Sequence, residues 1–231
     1  MTPTTDGSLL DADVIGAIAA SNLDGLPADL VSSLLVDAVR STISAGSTIH
    51  REDDAPHIEL LVRGLVRIHV TAADGRTLTI RYCRPGALIG VATVYARGSS
   101  RPFEVQALVD SDLLRLRPSV VRRIADREPR LTSALLTETS ERVFGFIAEI
   151  SDTAFSTVRR RVARHLLDLA SEQQQEGELV ARVSQQELAD AVGTVREVVV
   201  PVLRELREAG VVRTERSGIT LLQPEQLLNI E

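Results

Sequence analysis

The period of the apolar positions changes along the chain. Residues 9–21, LLDADVIGAIAAS, and 27–36, PADLVSSLLV, space their apolar side chains three and four apart, which predicts two short amphipathic helices. Ser8 is placed to cap the first, and Pro27 fits the first turn of the second. From about Val39 the period falls to two. STIS, STIHRE, HIELLVRG, LVRIHVTA, RTLTIRYC, ALIGVATV, FEVQALV and DLLRLR are short strand-like runs. Turn signals separate them: Ala45-Gly46, Asp53-Asp54-Ala55-Pro56, Ala73-Asp74-Gly75, Pro85-Gly86 and Gly98-Ser99-Ser100. Asp74-Gly75 between alternating strands is a strong hairpin signal. Many short, evenly spaced strands predict a small sandwich or barrel. Pro118 to Asp126 then reads as a short helix.

Leu131 to Ala170 is the longest helical stretch. Leu136, Ser140, Val143, Ile147, Ile150 and Ala154 alternate spacings of four and three, the seam of a coiled coil, and Phe146 widens it. The same spacing also suits an ordinary helix packed on its own barrel. Ser151 to Ser156 interrupts the pattern as a hinge, with Ser156 capping a second helix whose core face is Val158, Val162, Leu166 and Leu169. Glu172 to Glu178 is a polar loop.

Beyond it, SQQELADAVGTVREVVVPVLREL holds two helix starts ten residues apart. Ser184 with Glu187, and Thr194 with Glu197, both fit the capping box, a hydroxyl followed three residues later by Glu. Leu188 and Val192 stripe the first helix; Val195, Val199, Val202, Leu203 and Leu206 stripe the second. Gly193 lies between, where a tight turn calls for positive φ. Two short helices about such a turn predict a helix-turn-helix, whose second helix enters the major groove. Gly210 ends that helix, and Val211–Thr214, Ser217-Gly218 and Ile219–Leu222 read as strand, turn, strand: a wing. Val195, Arg196, Glu197 and Val200, with Thr194, Gln185 and Gln186, are the candidate DNA contacts. Arg213 and Arg216 are candidates from the wing.

Charge modifies this picture only in its distribution. The net charge is −6, and all 26 basic residues are arginine. Ser156 to Leu222 holds 10 Arg against 10 acidic residues, so the whole excess of negative charge lies elsewhere. The C-terminal third is the end less repellent to phosphate. No run approaches the roughly 20 apolar residues of a membrane span, and MTPTTDGS lacks the regions of a signal peptide, which predicts a cytoplasmic protein with no membrane partner. A single cysteine, Cys83, excludes an internal disulfide and any multi-thiolate site within the chain. Flanked by Arg81 and Arg84, it is a redox thiol if exposed and an inert packed residue if buried. His50, His57, His69 and His165 lack metal-ligand spacing, which argues against a barrel enzyme of cupin type.

The order of elements resembles the Crp/Fnr family, the cyclic-AMP receptor protein and fumarate-nitrate regulator transcription factors. The resemblance covers nearly the whole chain. Gly64-Leu65-Val66-Arg67, Pro85-Gly86 followed by Ile89-Gly90, Arg101 ahead of Val105 and Ala107, Arg161 with Ala163, and the helix-turn-helix carry it. It implies an α+β chain: a cyclic-nucleotide-binding-like β-barrel (jelly roll) over 1–130, a dimerisation helix and hinge over 131–155, and a winged helix-turn-helix over 156–231. It implies double-stranded DNA, a second copy and RNA polymerase as partners, and no catalysis. The dimer interface would be Leu136, Val143, Ile147 and Ile150.

The positions that hold cyclic AMP in the family fall here on Gly90, Val91, Arg101, Pro102, Phe146 and Ile147. The family's Glu is Val91, its Ser is Pro102, and its Thr-Ser pair is Phe146-Ile147. A buried ribose hydroxyl left without partners costs about 1–3 kcal/mol per lost contact. The resemblance therefore implies a small effector other than cyclic AMP, or a cyclic-AMP response through a divergent pocket. An iron–sulfur cluster is excluded by the lone cysteine. On the recognition helix, Arg196-Glu197 matches the family's Arg-Glu, while Pro201 stands where a second base-reading Arg is usual. Proline there removes an amide bond to Glu197 and, in a helix interior, costs about 3 kcal/mol or kinks the helix. A module that binds partners but no longer reads DNA is the alternative that Pro201 favours.

Overall fold

The computed structural model describes residues 10–51, 54–55, 57–96, 103–170, 174–175, 178–215 and 218–230. These fall into two compact units, one of residues 1–68 and 81–145 and one of residues 69–80 and 146–231.

The first unit opens with α1 (Ala12–Ala19) and α2 (Ala28–Leu34). Asp11 caps α1 by accepting from the Val14 amide at 2.9 Å; Ser8, expected in that role, lies outside the described residues. Pro27 is the N-cap of α2 and not part of its first turn. Then come β1 (Val39–Ile43), β2 (Thr48–His50), β3 (Ile58–Arg63), β4 (Val66–Thr71), β5 (Thr77–Cys83) and β6 (Leu88–Ile89). The run ALIGVATV is not one strand. Gly90 has φ +85°, which ends β6, and α3 (Val91–Tyr95) begins at once. A Cβ at Gly90 would meet the His57 carbonyl oxygen at 2.3 Å, so both the turn and the close approach require glycine. The Thr93 hydroxyl bonds back to the Gly90 and His57 carbonyls. The unit continues with β7 (Glu104–Ala107), β8 (Ser111–Leu116), α4 (Pro118–Ala125) and the start of α5 (Pro129–Phe155).

The strands form two four-stranded sheets, β1-β8-β3-β6 and β2-β7-β4-β5. The central strand β3 is buried on both faces. Ile58, Leu60 and Val62 join a core with α1, α2, α4 and the first turns of α5, and Leu61 joins a second core with Val66, Cys83, Ile89, Val105 and Leu113. Burial on both sides explains why HIELLVRG shows no clean alternation. Glu59 is the polar interruption. Its carboxylate takes His50 Nε2 at 2.9 Å and Arg115 Nε at 2.8 Å, and these partners hold it ionised against its burial. The His50 ring stacks on His57 with centroids 3.3 Å apart.

In the second unit α5 runs unbroken through Ser151 to Phe155, and α6 (Val158–Ala170) follows. The helical run thus breaks only at Ser156-Thr157 and not from Ser151 on. The Ser156 hydroxyl bonds the Asp152 carboxylate, and it is Thr157 that receives the Arg160 amide, at 3.2 Å. Nothing between 151 and 155 breaks a helix; loss of an apolar stripe alone does not. Val162, Leu166 and Leu169 of the predicted face of α6 are buried, together with Ala163 and His165, while Val158, the fourth predicted position, is only half-buried.

Next come β9 (Gln174–Gln175), β10 (Glu178–Ala181), α7 (Gln185–Ala191), α8 (Arg196–Glu208), β11 (Val212–Glu215), β12 (Gly218–Leu221) and α9 (Pro224–Leu228). The sheet order is β11-β12-β10-β9. The stretch read as a polar loop up to Glu178 therefore contributes β9 and leads into β10, which pairs Ala181 with Ile219. The β4–β5 hairpin tip, closed by Asp74-Gly75 with Ala72 N to Arg76 O at 2.8 Å, also belongs to this unit.

Candidate nucleic-acid interface

The helix-turn-helix is built from α7 and α8. Ser184 starts α7 with a complete capping box: Ser184 Oγ accepts from the Glu187 amide at 3.1 Å, and the Glu187 carboxylate accepts from the Ser184 amide at 2.8 Å. Caps of this kind contribute roughly 1 kcal/mol. Leu188, Ala189 and Val192 on one side and Val199, Leu203 and Leu206 on the other are buried. Between them Gly193 has φ +70°, the conformation a side chain resists. Arg161 of α6 donates Nε to the Val192 carbonyl at 3.2 Å and Nη1 to the Ser156 carbonyl at 2.7 Å, fixing the turn to the helix beneath.

The second capping box does not form. Thr194 belongs to the turn, its amide donating to the Ala189 carbonyl at 3.0 Å. Val195 is the N-cap of α8 and offers no side-chain bond. Glu197 is left in the first turn, where a carboxylate suits the helix dipole without closing a box. The motif depends on backbone geometry at the hydroxyl residue, and the turn claims that residue first. Val195, expected in the buried stripe, is exposed for the same reason.

What the start of α8 presents is an open face of Val195, Arg196, Glu197, Val198 and Val200. Arg196 Nε donates to Gln185 Oε1 at 3.2 Å, which orients the guanidinium across the two helices. Beside it lies a cleft of about 680 Å³ lined by Arg182, Ser184, Gln185, Gln186, Arg196 and Thr214, among others. Three of the candidate contacts, Gln185, Gln186 and Arg196, are thus brought to one place, while Thr194, Val195, Glu197 and Val200 do not line the cleft. Arg182 and Thr214 are additions. Arg182 follows β10 directly, so its position depends on a strand that lies just past the stretch read as a polar loop. Pro201 sits on the exposed side of α8, and the helix continues through it to Glu208. Arg213 is partnered by Glu215 at 2.6 Å and Glu178 at 3.2 Å, which hold its guanidinium more firmly protonated. Arg216 lies outside the described residues.

A second surface runs along α5. Leu136, Val143, Ile147 and Ile150, the sequence-named seam, are 64%, 51%, 53% and 68% exposed, and Phe144 and Phe155 extend the stripe. Contiguous apolar patches of this kind are uncommon on the surface of a monomer.

The effector positions divide. Val91 is buried in the core that β3 shares with the helices, Gly90 lies against His57, and Phe146 and Ile147 are on the exposed face of α5. Arg101 and Pro102 lie outside the described residues. Cys83 is fully buried; desolvation raises its thiol pKa despite Arg81 and Arg142 nearby, so it is the inert packed residue and not an activated thiol. Among the described residues no group of three or more His, Cys, Asp or Glu gathers to hold a metal, and no helix is long and apolar enough to cross a membrane.

Comparison with known proteins agrees with this geometry. Residues 40–128 match the cyclic nucleotide-binding domain, and residues 160–230 match the Crp-like helix-turn-helix domain. The chain is 31% identical over 165 residues to the transcriptional regulator SdrP of Thermus thermophilus, covering 70% of this chain and 77% of SdrP. It is 27% identical over 192 residues to Vfr of Pseudomonas aeruginosa, described as a cAMP-activated global transcriptional regulator, covering 80% of this chain and 90% of Vfr. The crystal structure of a CRP/FNR-family transcriptional regulator from Thermus thermophilus superposes with a TM-score of 0.70 at 28% identity, covering 82% of this chain and 96% of that one. With a sheet domain, a long helix and a winged helix-turn-helix in that order, the chain belongs to the Crp/Fnr family of DNA-binding transcription regulators.

Proposed function

We propose that this regulator acts as a cytoplasmic homodimer that reads a pseudo-palindromic operator. The observation that carries the reading is Arg196, held by Gln185 at the open start of α8. An Arg in that position pairs bidentately with guanine, and Glu197 accepts from cytosine N4. The exposed stripe of α5 is the surface on which two copies meet. Two-fold symmetry then sets the half-sites one helical turn apart, roughly 34–36 Å. RNA polymerase is the natural further partner of such a dimer.

The sensor unit answers to a small effector other than cyclic AMP. Vfr is cAMP-activated by its description, but here Val91 packs among apolar side chains where a ribose hydroxyl would need an acceptor. Effector binding biases the Ser156-Thr157 break and with it the placing of the two α8 helices.

The test is Arg196→Ala on a duplex selected by the wild-type protein from a random pool, beside a scrambled duplex, at two salt concentrations. The expected loss is about 1–3 kcal/mol on the selected duplex and much less on the scrambled one. Equal losses on both would assign Arg196 to phosphate and remove it as the reader.

A further inference from the structure

The folding of the second unit does not call for the surface that α8 presents. Val195, Val198 and Val200 are 46%, 41% and 38% exposed, while Val199 is fully buried with Leu203 and Leu206. A solvated helix surface ordinarily carries long polar side chains. Valine is among the poorer helix formers, because its branched Cβ loses rotamer freedom against the preceding turn. The exposed valines therefore weaken the start of α8 without adding to its core.

Helical spacing separates them. At about 100° per residue, Val200 lies about 40° from Arg196 around the helix axis and one turn further along it. Val198 lies about 160° from Arg196, on the other flank. Arg196 and Val200 thus form one row, a cation followed by a branched apolar side chain. The row begins at the cleft that Arg196 lines, where Gln185 holds its guanidinium. Valine in a helix keeps nearly a single χ1 rotamer, which fixes both methyls before any partner arrives. In the major groove thymine alone among the four bases presents a methyl group, at C5.

We propose that Val200 is a specificity-determining residue that reads the C5-methyl of a thymine. One helical turn advances about 5.4 Å against base-pair steps of about 3.4 Å, which puts that thymine within about two base pairs of the guanine that Arg196 reads. The proposal rests on the DNA-reading assignment of Arg196 and adds to it the kind of base pair the operator carries beside the guanine. The apolar row is continuous with that reader, so its occupant is DNA and not a second protein.

The experiment uses the full chain and a duplex selected by the wild type from a random pool. Each thymine of one half-site is exchanged in turn for deoxyuridine, which removes the methyl and leaves the pairing edge intact. At one position the exchange should weaken binding about fourfold, the contribution of burying one methyl-sized group. Val200→Ala should lose about fourfold on the thymine duplex and be indifferent to deoxyuridine at that position. Val198→Ala, altered on the other flank, should keep the wild-type response. Both valines are exposed, so both variants should fold as the wild type does. Absence of any responding thymine, a response undiminished in Val200→Ala, or one abolished by Val198→Ala would each overturn the assignment. If Arg196→Ala still loses selectively on the same duplex, the DNA reading stands and only the role of Val200 falls. If the wild type selects no duplex, or Arg196→Ala loses equally on selected and scrambled duplexes, the reader itself fails and Val200 falls with it.

Discussion

His165 makes the DNA-reading unit sensitive to acid. It lies on the buried face of α6, 2% exposed, beside Val162, Leu166 and Leu169. Burial first, then the charge of Arg164, lower its pKa from 6.5 to about 3; Asp152 opposes them, and Arg161 adds to the lowering. The neutral ring is the one that folds. In the unfolded chain the imidazole takes up a proton as pH falls through 6.5, while in the folded chain it does not until about 3. Stability from this group is thus present in full above pH 6.5 and is lost progressively from there down to about 3. Each pH unit inside that window costs about 1.4 kcal/mol, so lowering pH from about 7 to about 5 removes about 2 kcal/mol. His165→Gln keeps a polar side chain of similar reach and cannot titrate. Urea unfolding of both proteins at the two pH values, followed by a probe in the DNA-reading unit, measures the difference directly. The wild type should lose about 2 kcal/mol more than the variant. The buried carboxylate Glu59, whose folded pKa is lowered, acts in a separate window below its ordinary 4.5 and does not confuse the comparison. Equal losses in the two proteins would show that His165 titrates as it does in the unfolded chain and would refute the burial argument.

Three further outcomes are expected. Ile147→Arg places a charge in the middle of the exposed stripe of α5 and should convert the dimer to monomer in sedimentation, with weakened operator binding; a fully dimeric variant would remove this stripe as the interface. Cyclic AMP should bind weakly in calorimetry and change DNA affinity little, because Val91 sits in apolar packing; tight, Arg101-dependent binding coupled to the operator would contradict this. Pro201→Arg restores an amide for the Glu197 carbonyl on the exposed side of a helix that already continues past it, so it should raise thermal stability and operator affinity and alter sequence preference; unchanged binding would exclude that turn of α8 from the groove.

The local periodicities determined most of the elements before any contact was known. The helices at both ends of the strand region, seven of the eight strand-like runs within a residue or two, the Asp74-Gly75 hairpin, the exposed apolar stripe of α5 and the pairing of α7 with α8 all follow from spacings of two, three and four with turn residues between. ALIGVATV deceived because an apolar run of that length suits a strand or a buried helical turn equally. Only the approach of Gly90 to the His57 carbonyl decided between them. Thr194 and Glu197 had the spacing of a cap, but the turn needed the Thr194 amide for Ala189, and the helix began later. Strand β9 lay inside the polar stretch and β10 just beyond it, and both went unread because their identity came from pairing, β9 with β10 and β10 with β12, far along the chain.

The candidate DNA contacts were legible one by one from the sequence, since an N-terminal helix position is a local property. Their convergence was not. That Arg196 is held by Gln185, that Arg182 joins them, and that Leu78 closes on Gly193 are distances between residues separated by many positions in the chain. Cys83 makes the same point: its neighbours in sequence are arginines that favour a thiolate, and burial, which only the packed core supplies, makes it a thiol. Sequence determines which side chains are available and how the backbone turns locally; desolvation and long-range pairing, which set their chemistry, exist only once the chain is folded.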